Sequence, residues 1–156
     1  MAYNERRWGS DGWTRDLRRS AKADGLAFGG WKYWPSTLQA HRLILLAERT
    51  SDELAASAKG VLFRQCYEDS LNISDPKILQ AAAKELGLDG ALLEGDECRD
   101  EVLARDEHAK RTLRISGVPH FAVSRTGAAG AAGQPIGLGG AQPAERFVQA
   151  FEQLSS

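Results

Sequence analysis

Cysteine is scarce in this chain, whose 156 residues contain only Cys66 and Cys98 and no Cys-x-x-Cys motif. Two cysteines this far apart are too few for a disulfide framework. A zinc site needs about four ligands, and the cysteines and three histidines show no ligand spacing, so neither a metal nor another cofactor is predicted. Thiol–disulfide exchange needs a thiolate with a resolving cysteine in reach, which these two residues do not provide.

Charge of one sign and long apolar runs are lacking as well. The chain has 20 Lys and Arg against 21 Asp and Glu, a net charge of −1, and this balance predicts neither a nucleic-acid nor a membrane partner. No apolar run approaches the roughly 18 residues of a membrane span. The first twenty residues contain three acids and no apolar centre, unlike a secretory signal. We therefore expect a soluble protein of the cytoplasm or an organelle interior.

Hydrophobic periodicity predicts about six helices. They are predicted over residues 11–23, 38–47, 54–66, 76–86, 96–113 and 143–154. Ser36 or Thr37 is predicted to cap the second helix, and the run from Thr50 to Glu53 has the spacing of a capping box. Asp75 and Pro76 are predicted to begin the fourth helix, and Gly87 to end it.

One β-hairpin is predicted after the helices. Gly117-Val118-Pro119 forms a bend that leads into a strand over residues 120–124, because proline lacks an N–H and belongs at a strand's first position. A second strand is predicted over 135–138. The Gly- and Ala-rich run from Thr126 to Gly133 is interpreted as a mobile hairpin loop, and Pro143 is expected at the start of the terminal helix.

Four segments, taken in order, resemble the FrnE-type branch of the DsbA-like thioredoxin-fold family. These segments are Trp34–Ile44, Leu62–Asp69, Ile73–Pro76, and the pair Ile115–Phe121 with Gly140–Glu145. The resemblance implies an α/β, thioredoxin-like, DsbA-type fold with an α-helical insertion. Residues 1–113 would be the N-terminal tail and insertion, and residues 114–156 the C-terminal β-β-α half. The opening β-α-β unit, which in the family carries Cys-x-x-Cys, is not found, so the core is expected to be incomplete.

The resemblance also implies a binding site at the bend. It implies that the Val118–Pro119 bond is cis and that Gly117, Val118 and Pro119 pair with an extended substrate by strand addition. No residue of this chain is implied to be catalytic. Cys66 is expected to be a small buried hydrophobe, and Cys98 to be more exposed, with an inert role favoured for both.

Two further features have alternative interpretations. The aromatic cluster Trp31, Tyr33 and Trp34 could cover a substrate groove, or it could pack the helical insertion against the core. The second interpretation is preferred. His41 is expected to be a hydrogen-bonded packing residue and not a base or a ligand.

The family function is thiol–disulfide oxidation or isomerisation of protein or small-molecule thiols, and this chain alone is expected to be inactive. It could be part of an oxidoreductase whose N-terminal third lies elsewhere, or a non-catalytic structural or assembly subunit. It could also be a glutathione-dependent relative of kappa-class transferases or chromene-carboxylate isomerases. The segment Gly139–Gln142 resembles the FrnE type more than this glutathione-dependent branch, so this alternative ranks last. The expected partners are a thiol substrate and another chain, or a second copy, at the strand edge of residues 120–124. The substrate and the oligomeric state stay open.

Overall fold

The computed structural model describes residues 9, 12–26, 28–29, 32–125 and 134–155. The helices are α1 (Gly12–Ala23), α2 (Leu38–Glu48), α3 (Asp52–Phe63), α4 (Pro76–Glu85), α5 (Arg99–Arg111) and α6 (Ala144–Ser155), with a 3-10 turn at Gly90–Leu93 and the strands β1 (His120–Val123) and β2 (Ile136–Gly139). This order confirms the predicted mostly helical chain with one hairpin. None of the helices in these ranges is long and apolar enough to cross a membrane.

The chain divides into two compact units, Met1–Ala104 and Arg105–Ser156. We call them the helical unit and the hairpin unit. The division falls inside α5, whereas the sequence places a boundary between residues 113 and 114, which stays a prediction.

The main core of the helical unit lies among α2, α3 and α4. Leu43, Leu62 and Leu79 are almost completely buried there, together with small residues that allow the helices to approach closely. The small buried members of this cluster are Ala40, Ala82 and Ala83. Since burying a leucine side chain contributes about 1.5–3 kcal/mol, this cluster is the main source of stability in the unit.

The ends of these helices follow local sequence signals. The Ser51 hydroxyl accepts a hydrogen bond of 3.1 Å from the Leu54 N–H at the start of α3, so the cap is Ser51 and not Thr50. The Asp75 carboxylate accepts from the Lys77 N–H at 2.9 Å, with Pro76 as the first residue of α4. Gly87 follows that helix with a φ of +71°, as predicted. Thr37 occupies the N-cap position of α2, but its side chain forms no capping hydrogen bond.

The sequence predicts that α3 continues as an α-helix through Cys66, but its winding becomes π-helical before that residue. α3 ends at Phe63, and a π-helical turn, Arg64–Glu68, follows directly. We call this segment the π-turn. Its wider winding places both Gln65 and Cys66 inside the unit. Single π-turns are frequent at functional sites, which makes the surroundings of Cys66 a candidate site.

The hairpin unit contains a two-stranded antiparallel sheet in the part of the chain that the structure describes. His120 is opposite Gly139, and Val123 is opposite Ile136. The rings of Phe121 and Phe147 meet edge to face with centroids 4.9 Å apart, so α6 covers part of one face of the sheet. β1 begins at the predicted residue and ends one residue early, whereas β2 is shifted by one residue from its predicted bounds. The loop predicted over Thr126–Gly133 lies outside the described residues.

Candidate functional site

The bend before β1 holds a backbone segment that is open to solvent. The Val118–Pro119 peptide bond is cis, and the Pro119 carbonyl accepts a hydrogen bond of 2.8 Å from the Gly140 N–H. This bond extends the hairpin pairing one position beyond the strands and fixes the proline against the end of β2. Val118 is 91% exposed, and its N–H and C=O form no hydrogen bond with backbone of the described ranges.

The outer edge of β1 continues this open segment. Hydrogen-bonding groups alternate in direction along an antiparallel strand. Because the Pro119 carbonyl points toward β2, the backbone groups of His120 and Ala122 point away from it. Within the described residues β1 pairs only with β2, so this edge can accept an added strand. Gly117, Val118 and Pro119 thus lie together beside an unpaired edge, which is the arrangement that strand addition requires.

Cys66 lies in the core of the helical unit and is a free thiol. Burial raises the pKa of this thiol above its ordinary value. Because the thiolate is the reactive form, the raised pKa makes Cys66 a poor nucleophile at neutral pH. Its expected role as a small buried hydrophobe agrees with this environment.

The prediction that Cys98 is exposed is wrong. Cys98 is 7% exposed and contacts Leu45 and Leu46. It precedes α5 with a φ of +62°, so it lies in a turn and not on the charged helix face. Burial is again the main cause of its raised pKa. Cys66 and Cys98 belong to different apolar clusters, and the structure does not bring them together as a redox pair.

A cavity of about 530 Å³ opens on the helical unit beside the π-turn. Its floor and walls are mostly apolar, and its polar lining includes a histidine, a lysine and a thiol. Its lining includes Trp34, His41, Lys59, Phe63, Cys66 and Tyr67. A volume of this size lies within the range of about 300–1,000 Å³ that is typical of ligand clefts.

Only one feature of the sequence, the predicted aromatic cluster, pointed toward this cavity. Trp34 lines it, so the structure places one member of the aromatic cluster at a groove. Tyr33 is about half exposed, and Trp31 lies outside the described residues. The contribution of Lys59 was missed, since nothing local distinguishes it from other surface lysines.

His41 is an exposed residue at this cavity and not a core packing residue. Its Nδ1 lies 2.8 Å from the Thr37 carbonyl oxygen, and a carbonyl only accepts hydrogen bonds. Nδ1 therefore carries a proton, and the opposite ring nitrogen, Nε2, is left for other partners. The predicted hydrogen bond is confirmed, but the predicted packing role is not.

Comparison with protein families gives a match over most of the chain. A family model described as "DSBA-like thioredoxin domain" matches residues 10–152. No curated protein matches the chain. The matched range covers both units, and it includes the bend and the cavity.

Proposed function

The chain belongs to the DSBA-like thioredoxin domain family, and from that premise we propose that it is the substrate-binding half of a thiol–disulfide oxidoreductase. In this proposal the bend at Gly117-Val118-Pro119 and the outer edge of β1 bind an extended segment that contains a cysteine. The family match supports thiol–disulfide chemistry in general, whereas membership of the FrnE-type branch stays a prediction.

The open backbone at Val118 is the observation that carries this proposal. A buried or paired backbone would have no hydrogen bonds to offer, but Val118 is 91% exposed and its amide and carbonyl are not paired with other described backbone. An extended peptide that lies beside it gains main-chain hydrogen bonds whatever its side chains are. Binding of this kind suits an enzyme that acts on many different thiols.

The chemical half of the site needs a dithiol from elsewhere. In reduction of a substrate disulfide, one enzyme thiolate attacks a substrate sulfur, the S–S bond breaks, and the other substrate sulfur leaves as a thiolate. The second enzyme cysteine then displaces the substrate, so the enzyme becomes a disulfide and the substrate a dithiol. Cys66 and Cys98 are buried in separate clusters with raised pKa values. We therefore assign the dithiol to a polypeptide segment other than these 156 residues.

Peptide binding tests the proposal. The probe is an unstructured peptide that contains one S-methylcysteine, which cannot exchange disulfides, and binding is followed by NMR titration. Replacement of Val118 by proline removes its N–H and is expected to weaken binding, whereas Val118→Ala keeps the backbone donor and serves as the matched control. Circular dichroism checks that both variants fold.

A second measurement leaves the protein unchanged. A strand uses the N–H of every second residue to pair with its neighbour, so single N-methyl groups are placed along the peptide in turn. Since one hydrogen bond contributes about 0.5–1.5 kcal/mol, we expect Kd to rise at least twofold for N-methyl groups at alternate positions only. Equal effects at all positions, or no binding of the unmodified peptide, would refute the proposal.

An assembly subunit is the second candidate. The unpaired edge of β1 and the partly exposed Phe121 favour it, because the same edge that accepts a substrate also accepts a strand of another chain. Stable pairing with one defined protein, and no response to S-methylcysteine peptides of varied sequence, would favour this candidate. No feature of the structure specifically favours the glutathione-dependent alternative, which stays a prediction.

A further inference from the structure

The cavity beside the π-turn combines an apolar interior with an uneven distribution of charge. Among the described lining residues there are two basic side chains, His41 and Lys59, and no Asp or Glu. This composition differs from that of the whole chain, which has 20 Lys and Arg and 21 Asp and Glu. An anionic group would be favoured at the mouth of such a cavity and a cationic group disfavoured.

Lys59 is placed to bind such an anion. It lies on α3 and forms no ion pair within the part of the chain that is described. The neighbouring Arg64, in contrast, pairs with Glu85 at 2.8 Å. The Lys59 ammonium is therefore not already neutralised by the described part of its own chain.

His41 supplies a second basic group, which donates at Nε2 in its imidazolium form, from the neighbouring helix α2, which packs against α3. Its Nδ1–H is used by the Thr37 carbonyl, and this bond fixes the orientation of the ring. When the imidazole is protonated, Nε2–H is left to donate to an oxygen of a ligand. The two basic groups thus come from two packed helices and not from one flexible segment.

The apolar part of the cavity needs an apolar occupant. Phe63 is 63% exposed and Trp34 is 46% exposed at its rim, and the thiol of Cys66 lies in the lining. Covering apolar surface of this kind stabilises a complex by roughly 25 cal/mol per Å² removed from water. An ion without a hydrocarbon body would use only the two basic groups and leave these side chains in water.

We propose that this cavity is a binding site for a small amphiphilic carboxylate, with its hydrocarbon body against Trp34, Phe63 and Cys66 and its carboxylate at Lys59 and His41. The site uses residues of the helical unit only. The bend that the proposed function uses belongs to the hairpin unit and shares no residue with this lining, so either proposal can fail without the other.

Three probes with the same hydrocarbon chain test the charge preference: decanoate and decyltrimethylammonium below their micelle concentrations, and decanol below its solubility limit. Isothermal titration calorimetry is expected to give the lowest Kd for decanoate and the highest for the cation. Lys59→Met is expected to weaken decanoate about threefold, in keeping with a solvent-exposed ion pair, and to leave decanol unchanged. The control Lys77→Met removes an exposed charge that does not line the cavity.

Cysteine protection locates the probe. Cys66 lines the cavity and Cys98 does not, so the two buried thiols provide a site reporter and an internal control. Decanoate is expected to slow alkylation of Cys66 by N-ethylmaleimide, measured by peptide mass spectrometry, without slowing that of Cys98. The proposal is overturned by equal affinity for the three probes, by equal effects of the two lysine variants, or by protection of both cysteines or neither.

Discussion

Arg42 brings a positive charge into the helical unit at a position that is 1% exposed. Its Nε donates to the Glu97 carbonyl at 2.6 Å, and its other nitrogens donate to the carbonyls of Leu92, Leu93 and Gly95. No carboxylate of the described ranges pairs with it. The guanidinium is instead solvated by backbone, and in return it holds together a segment that has few hydrogen bonds of its own.

Replacing Arg42 by methionine should therefore be strongly destabilising. Hydrogen bonds to a charged group contribute about 1.5–3 kcal/mol each, and several such part-buried bonds to carbonyls are lost at once. We expect the free energy of unfolding to fall by at least about 3 kcal/mol, measured by urea denaturation. The control Arg49→Met removes an exposed arginine that pairs with Glu97 and Glu101 of the same region, and it should change stability little. Similar losses in both variants would contradict the role assigned to Arg42.

The thiol of Cys66 links stability to alkaline pH. Burial raises its pKa in the folded state, so the folded chain holds the proton more tightly than the unfolded chain does. The resulting contribution to the free energy of unfolding is fully present below the ordinary thiol pKa of roughly 8.5. It is lost as the pH rises toward the raised pKa of the folded state. From about pH 8 to about pH 10 we expect the wild type to lose more stability than Cys66→Ala under reducing conditions. Parallel pH profiles of the two proteins would show that Cys66 makes no such contribution.

Local signals made some elements predictable, and distant contacts hid others. The caps at Ser51 and Asp75 depend on residues two or three positions away, so the sequence pattern suffices to predict them. The hydrogen bond from Arg42 to Glu97 joins residues 55 positions apart, and no periodicity indicates it. The burial of Cys98 against Leu45 and Leu46 was missed for the same reason. The cavity is likewise formed by residues distant in sequence, since its lining runs from Trp34 through α2 and α3 to Ile73.

The outer edge of β1 leads to a prediction at the scale of the strand. An unpaired apolar edge is a template for another strand, and we expect the isolated chain to self-associate as its concentration rises. Ala122 directs its N–H outward, so Ala122→Pro should remove an edge donor without breaking the ladder to β2, and should shift the protein toward monomer in sedimentation velocity. Ala122→Val keeps the donor and should behave as the wild type does. A wild-type chain that stays monomeric at all concentrations would contradict this expectation.

The whole molecule combines a well-packed helical unit with a hairpin unit that is only thinly covered. In the described part of the hairpin unit, only Leu138 and Ala150 are buried apolar residues, and a two-stranded sheet is marginal by itself. The family match nevertheless spans both units. A match of this extent establishes the family, but the redox chemistry of the family depends on two cysteines in reach of each other, which these residues do not supply.

A turnover assay tests this conclusion for the chain as it stands. Both cysteines are buried in separate clusters with pKa values raised mainly by burial, so neither supplies much thiolate at neutral pH. We expect the chain to leave the rate of insulin reduction by dithiothreitol unchanged, and the double variant Cys66→Ala, Cys98→Ala to give the same rate. If the chain accelerated the reaction and the double variant did not, one of these thiols would be reactive after all, and the half that we propose to bind the substrate would contain part of its own chemistry.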